Sequence, residues 1–201
     1  MAVFTSFQFI QALLKSEPDL QIDSDHLMII SPDEGGMGRS VYYATVLGVN
    51  MGMFYKRRDY STIVNGKNPI VAHEFLGNDV AGKSVFIVDD MISSGESMLD
   101  VAKELKKRKA EKVFIATTFG IFTDGLASFD KAYEEGIIDR IFTTNLNYID
   151  EEVLKRPYYT QVDLSRYLAT IIDTLNIDES VSEIIDPIDR IQALLKEHQK
   201  S

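Results

Sequence analysis

The run from Val85 to Met98, V-F-I-V-D-D-M-I-S-S-G-E-S-M, constrains the fold more than any other part of the chain. Val85 to Val88 is a continuous apolar stretch with two valines and an isoleucine, the pattern of a strand buried on both faces of a parallel sheet. Such a strand is expected to end where the carboxylates begin. Asp89 and Asp90 would then stand at the carboxyl edge of the sheet, the side on which open α/β sheets bind ligands. Ser93, Ser94 and Gly95 let the backbone turn sharply, and glycine tolerates a positive φ there. Met98, Val101, Ala102 and Leu105 follow at helical spacing, so the amides of the turn would sit at a helix N-terminus as a phosphate cradle. The ordinary alternative is a structural acidic pair at a strand end, with Ser93 or Ser94 as an N-cap.

The rest of the chain repeats the same alternation. Phe7, Ile10, Leu13 and Leu14 mark a helix over residues 4–14 that ends before Pro18. Leu27 to Ile30 reads as a buried strand delivering S-P-D-E-G-G, residues 31–36, to a sheet edge, where Asp33 is again a carboxylate just after a strand. Pro-Asp-x-Gly is also an ordinary turn. Residues 36–47 read as a helix with Val41, Ala44, Thr45 and Leu47 inward, and 51–55 as a strand. The cations Lys56, Arg57 and Arg58 and a polar stretch to Pro69 follow, a pattern usual for solvated surface. Residues 70–76 read as a strand leading toward the central stretch. His73, without a second ligand at helical spacing, is structural or a minor contact, and no zinc site is expected.

Beyond the central loop, 96–109 is an amphipathic helix whose basic end, Lys106 to Lys109, complements the helix dipole. Residues 113–118 form the next parallel strand, with Thr117 to Gly120 at its polar edge; 126–133 is a helix, 138–143 a strand, and 158–162 a last short strand. A helix opening at Asp163 or Ser165 is expected to bury Leu164, Leu168, Ile171, Ile172 and Leu175. Asp186 and Pro187 restart the chain as a capped helix. Its stripe of Ile188, Ile191, Leu194 and Leu195 must pack on the body or on a second subunit. The expected architecture is α/β, a three-layer sandwich with a mainly parallel central sheet. Residues 1–185 would make one domain and 186–201 a C-terminal helical extension.

Composition excludes several classes. With 201 residues and 45% hydrophobic content the chain can bury a substantial core. Its 21 Lys and Arg against 31 Asp and Glu give a formal charge of −10, which argues against a general nucleic-acid surface. There is no cysteine, hence no disulfide, thiolate nucleophile or thiolate metal site. No apolar run is long enough to span a membrane, and no secretory signal pattern opens the sequence, so the cytoplasm is the expected location.

The central stretch resembles the phosphoribosyl-binding motif of type I phosphoribosyltransferases and, more closely, that of the ribose-phosphate pyrophosphokinases (phosphoribosyl pyrophosphate synthetases). The resemblance implies that Asp89 and Asp90 hold the ribose 2- and 3-hydroxyls and that Ser93, Ser94, Gly95, Glu96 and Ser97 hold the 5-phosphate. The family pattern has Asp, Thr, a small residue, Gly and Thr in those five places. Serine keeps the hydroxyls, but Glu96 sets a carboxylate where a phosphate should dock. S-P-D-E-G-G resembles a second signature that places Asp33 near the ribose phosphate and a metal ion. Lys56 and Arg58 match the cations that open the family's catalytic flexible loop, which brings charge to the reacting phosphates and excludes water. The T-T-N at 143–145 resembles the family's threonine-asparagine turn.

The resemblance covers residues 4–183 in the order of the C-terminal half of such an enzyme. It implies ribose 5-phosphate and ATP as substrates, Mg2+ as cofactor, a homo-oligomer, and an N-terminal half domain as partner. In the complete enzyme the C1 hydroxyl attacks the β-phosphorus of ATP and AMP leaves. Without that half, this chain is expected to bind sugar phosphate and to perform little transfer alone. The alternatives are a nucleobase phosphoribosyltransferase, for which no base-recognising hood is evident, and a non-catalytic regulatory homologue of the synthetase, which the presence of Lys56 and Arg58 disfavours.

Overall fold

The computed structural model describes residues 5–58 and 70–199, and the side chains of 56–58 and 70–73 are outside that description. A seven-stranded sheet is built from β1 (Leu27–Ser31), β2 (Asn50–Arg58), β3 (Ile70–Leu76), β4 (Ser84–Ile92), β5 (Val113–Gly120), β6 (Arg140–Thr144) and β7 (Tyr159–Val162). Its order is β3-β2-β1-β4-β5-β6-β7, and every neighbouring pair is parallel except the β2–β3 hairpin. β3 therefore closes one edge of the sheet and does not approach the centre.

The alternation of strand side chains divides the core in two. Met28, Ile30, Val85, Ile87, Val113 and Ile115 face one layer, made by α3 (Glu96–Lys107), α4 (Ala127–Glu134) and α5 (Glu151–Leu154). Leu27, Ile29, Phe86, Val88, Phe114 and Ala116 face the other, made by α1 (Ser6–Ser16), α2 (Met37–Leu47), α6 (Ser165–Asn176) and α8 (Ile188–His198), with the short α7 (Ser182–Ile185) beside them. Three layers around a parallel sheet are what fully apolar strands require, because both of their faces must be covered. Among the described residues no helix is long and apolar enough to cross a membrane.

Helix faces differ from expectation in two places. In α2 the buried residues are Ser40, Tyr43, Ala44, Val46 and Leu47, while Val41 is 48% exposed and Thr45 faces solvent. In α6 Tyr167 and Ile171 are buried, whereas Ile172 is 66% and Leu175 49% exposed. The tail resolves toward the body. Ile191 and Leu195 of α8 join the core, the Gln192 amide donates to the Val46 carbonyl at 2.9 Å, and Arg190 lies over the Phe7 ring.

Candidate functional site

Two features of the chain path create the site. From β1 the sheet grows one way through β2 and the other way through β4, so the carboxyl ends of β1 and β4 flank a switch point, where a cleft opens. β4 also runs past its β1 neighbour. The expected end at Val88 is corrected: the strand continues through Asp89 and Asp90 to Ile92, because β5 extends alongside it and pairs Asp89 with Thr117, Met91 with Phe119 and Ile92 with Gly120. The acidic pair thus lies within a strand, where neighbouring side chains point to opposite faces.

A cavity of about 180 Å³ opens at this edge, lined by Pro32, Asp33, Asp89, Met91, Ile92, Ser93, Ser94, Gly95, Ser97 and Met98. The structure therefore gathers six of the expected site residues, Asp33, Asp89, Ser93, Ser94, Gly95 and Ser97, around one space. Asp90 and Glu96 are exposed and off its wall. Lys56 and Arg58 end the backbone of β2, in register with His73 and Ile70 across the hairpin. Their side chains are outside the described set, as are residues 59–69, where the catalytic flexible loop is expected.

The loop is anchored in both directions. Ile121 and Thr123 donate their amides to the carbonyls of Ile92 and Ser93 at 2.8 and 3.0 Å, tying the loop to the segment after β5. Gly95 lies at φ 84°, and a Cβ there would fall 2.0 Å from Cζ of the buried Phe129, so only glycine fits between loop and core. It precedes Glu96, the first residue of α3, so the serine and glycine turn stands at the N-terminus of a twelve-residue helix as expected.

The segment after β1 is folded on itself. The Ser31 hydroxyl donates to the Asp33 carbonyl at 2.6 Å, and the Gly36 amide donates to Asp33 Oδ1 at 3.1 Å. A Cβ on Gly36 would meet Ser31 Oγ at 2.9 Å. This turn launches α2, whose first turn carries Arg39. The Arg39 Nη1 donates to Asp89 Oδ1 at 3.2 Å, and the Asp90 amide donates to the same oxygen at 2.8 Å. Burial pushes the Asp89 carboxyl above its ordinary value, and the Asp90 and Asp33 carboxylates add to this. The Asp90 amide and the Arg39 guanidinium pull against it. Arg39 is the site residue that sequence reasoning missed. A cation in the first turn of a helix opposes the helix dipole, and that misfit was its available signal.

Residues 7–148 match the family model of the phosphoribosyl transferase domain. The chain belongs to that family. Ribose-phosphate pyrophosphokinase from Mycoplasma pneumoniae is 30% identical over 159 residues, which cover 79% of this chain and 46% of the relative. The enzyme of the same name from Pyrococcus furiosus is 35% identical over 141 residues, 68% of this chain and 48% of the relative. The chain therefore spans about half the length of the curated relatives it matches, and is a partial-length homologue of them. A crystal structure of phosphoribosylpyrophosphate synthetase from Mycobacterium smegmatis superposes with a TM-score of 0.70 at 23% identity, over 87% of this chain and 51% of that one, which shows the type I phosphoribosyltransferase fold. All the cavity residues of this phosphoribosyl transferase domain lie inside the matched segment, whereas α5, β7, α6, α7 and α8 follow it.

Proposed function

We propose that the chain binds ribose 5-phosphate, with the phosphate on the amides and hydroxyls of Ser93 to Ser97 and the ring hydroxyls on Asp89 and Asp90. The observation that carries this reading is the single cavity walled by two carboxylates on one side and by a glycine-turned helix N-terminus on the other. A sugar phosphate needs that combination, hydroxyl acceptors a few ångströms from fixed anion donors.

In partnership with an N-terminal half, the domain takes part in pyrophosphate transfer from ATP in the cytoplasm. The C1 oxygen forms a bond to the β-phosphorus, the bond from that phosphorus to the α–β bridging oxygen breaks, and AMP leaves with that oxygen. The hydroxyl proton passes to water. Lys56 and Arg58 would bring positive charge to the reacting phosphates. Among the described residues no group of three or more His, Asp or Glu is placed to hold a metal ion by itself. Magnesium takes one or two carboxylates and completes its shell with substrate phosphates and water; Asp33, on the cavity wall, would be the residue to supply one. The ion would offset phosphate charge.

Calorimetry with ribose 5-phosphate tests the binding step, with Asp89→Asn as the variant. Saturable binding that weakens about tenfold or more in the variant is expected for loss of a charge-assisted hydrogen bond. Equal binding by both proteins would overturn the assignment. The transfer step is tested by mixing the chain with ATP, ribose 5-phosphate and magnesium, with and without a supplied N-terminal half. AMP formed only with that half supports the reading.

A further inference from the structure

Two carboxylates, Asp33 and Asp89, line the cavity and a third, Asp90, stands beside it, yet the cavity is asked to receive an anion. Arg39 is the cation that the described structure sets against them, its guanidinium 3.2 Å from Asp89 Oδ1. Two observations point the same way. Arg39 is the third residue of α2, where a positive charge is unfavourable to the helix, so its position is not explained by helix stability. Asp89 Oδ1 receives both the Arg39 guanidinium and the Asp90 amide, while among the described residues Oδ2 receives no donor.

We infer that Arg39 is a positioning residue for sugar recognition: it and the Asp90 amide saturate one oxygen of Asp89 and fix the carboxylate plane, so that the other oxygen is presented to a ring hydroxyl. This rests on the ribose 5-phosphate reading and adds to it a residue whose hydrogen bond, among the described residues, goes to Asp89. A carboxylate held by two donors on one oxygen loses the rotation that would otherwise be frozen at the moment of binding, and preorganisation of that kind raises affinity. Arg39 is 35% and Asp89 22% exposed, so the pair is only partly screened by water. The guanidinium fork suits the task better than an ammonium, because its planar donors fix direction as well as distance.

The test is a double-mutant cycle read by calorimetry on the full chain, with ribose 5-phosphate and inorganic phosphate as the two probes. Arg39→Ala should weaken ribose 5-phosphate binding about tenfold, the loss expected for one charge-assisted hydrogen-bond partner, and leave inorganic phosphate binding at the loop unchanged. Arg39→Lys should recover part of the loss, and guards against a folding defect in the alanine variant. Combined with Asp89→Asn, Arg39→Ala should add nothing, because the arginine acts through that carboxylate. Additive losses, or an equal loss for inorganic phosphate, would overturn the inference and place Arg39 on the ligand or in the scaffold. Undiminished ribose 5-phosphate binding by Arg39→Ala would overturn it while leaving the site reading intact. Failure of the wild-type chain to bind the sugar phosphate would overturn both.

Discussion

Gly95→Ala tests whether the loop from Ser93 to Gly95 is held by the core. The residue sits at φ 84°, ψ −8°, and an added Cβ would lie 2.0, 2.6 and 3.0 Å from Cζ, Cε2 and Cε1 of Phe129. A left-handed conformation costs an L-residue about 1–2 kcal/mol. The clash cannot be relieved by swinging the ring aside, since Phe129 is 0% exposed and packs edge-on against Phe122 with centroids 5.3 Å apart. Forcing an extra methyl into such a site costs about 1–3 kcal/mol. The sum, about 2–5 kcal/mol, lowers Tm by about 5–15 °C for a domain of this size. Thermal melts followed by circular dichroism measure it. Phe129→Leu removes the ring edge, so Gly95→Ala in that background should cost only the conformational share, about 1–2 kcal/mol. A Tm within about 2 °C of wild type for Gly95→Ala, less than 1 kcal/mol at this chain length, or an undiminished loss in the leucine background, would refute the argument that the Phe129 ring fixes the loop.

Asp89→Asn should raise Tm at neutral pH while weakening sugar phosphate binding. Its carboxyl is pushed up, first by burial, so the folded chain holds that proton more tightly than the unfolded one; its contribution to stability is full at pH below the ordinary value of 3.8 and is lost as pH rises through the folded-state value. Melts across pH should therefore show the variant's advantage disappearing in acid. Tyr158→Phe removes a hydroxyl that donates to Asp130 Oδ1 at 2.6 Å and should cost about 1 kcal/mol in urea unfolding at neutral pH. Burial opposes the Asp130 charge, but the Tyr158 hydroxyl and Arg156 outweigh it and hold the carboxyl below its ordinary value, so the penalty should shrink as pH falls through the carboxylate range. Glu96→Thr takes a negative charge from the helix end where the phosphate is proposed to dock and should tighten inorganic phosphate binding up to about fivefold at low salt, with the gain fading as salt is raised. No change on titration calorimetry would show that the exposed carboxylate stays clear of the anion.

The parallel sheet was legible because β1, β4 and β5 carry apolar runs that double-sided burial explains, and helices lie between the parallel strands that follow one another. Where helices carry two adjacent apolar stripes, the sequence could not choose between them. In α6, Tyr167 and Ile171 compete with Leu168, Ile172 and Leu175, and the first pair is buried. In α2 the aromatic Tyr43, packed edge-on against Phe86, fixes a rotation that Val41 and Thr45 did not suggest. The length of β4 depends on β5, whose backbone offers partners to Gly120; a polar residue inside a strand gives no sign of that pairing. Arg39 was missed for a related reason, since its partner lies 50 residues away and meets it only through the sheet.

The continuation of β4 changes how an acidic pair can serve one sugar. Side chains of adjacent strand residues diverge, and here Asp89 lines the cavity while Asp90 is exposed. If both carboxylates take hydroxyls of the same ring, as proposed, the ring must straddle the strand edge and cannot lie wholly within the cavity. One hydroxyl would then meet Asp89 inside the cavity and its neighbour would meet Asp90 outside it. The about 180 Å³ of cavity beside Ser93 to Ser97 would then be left to the phosphate and its methylene.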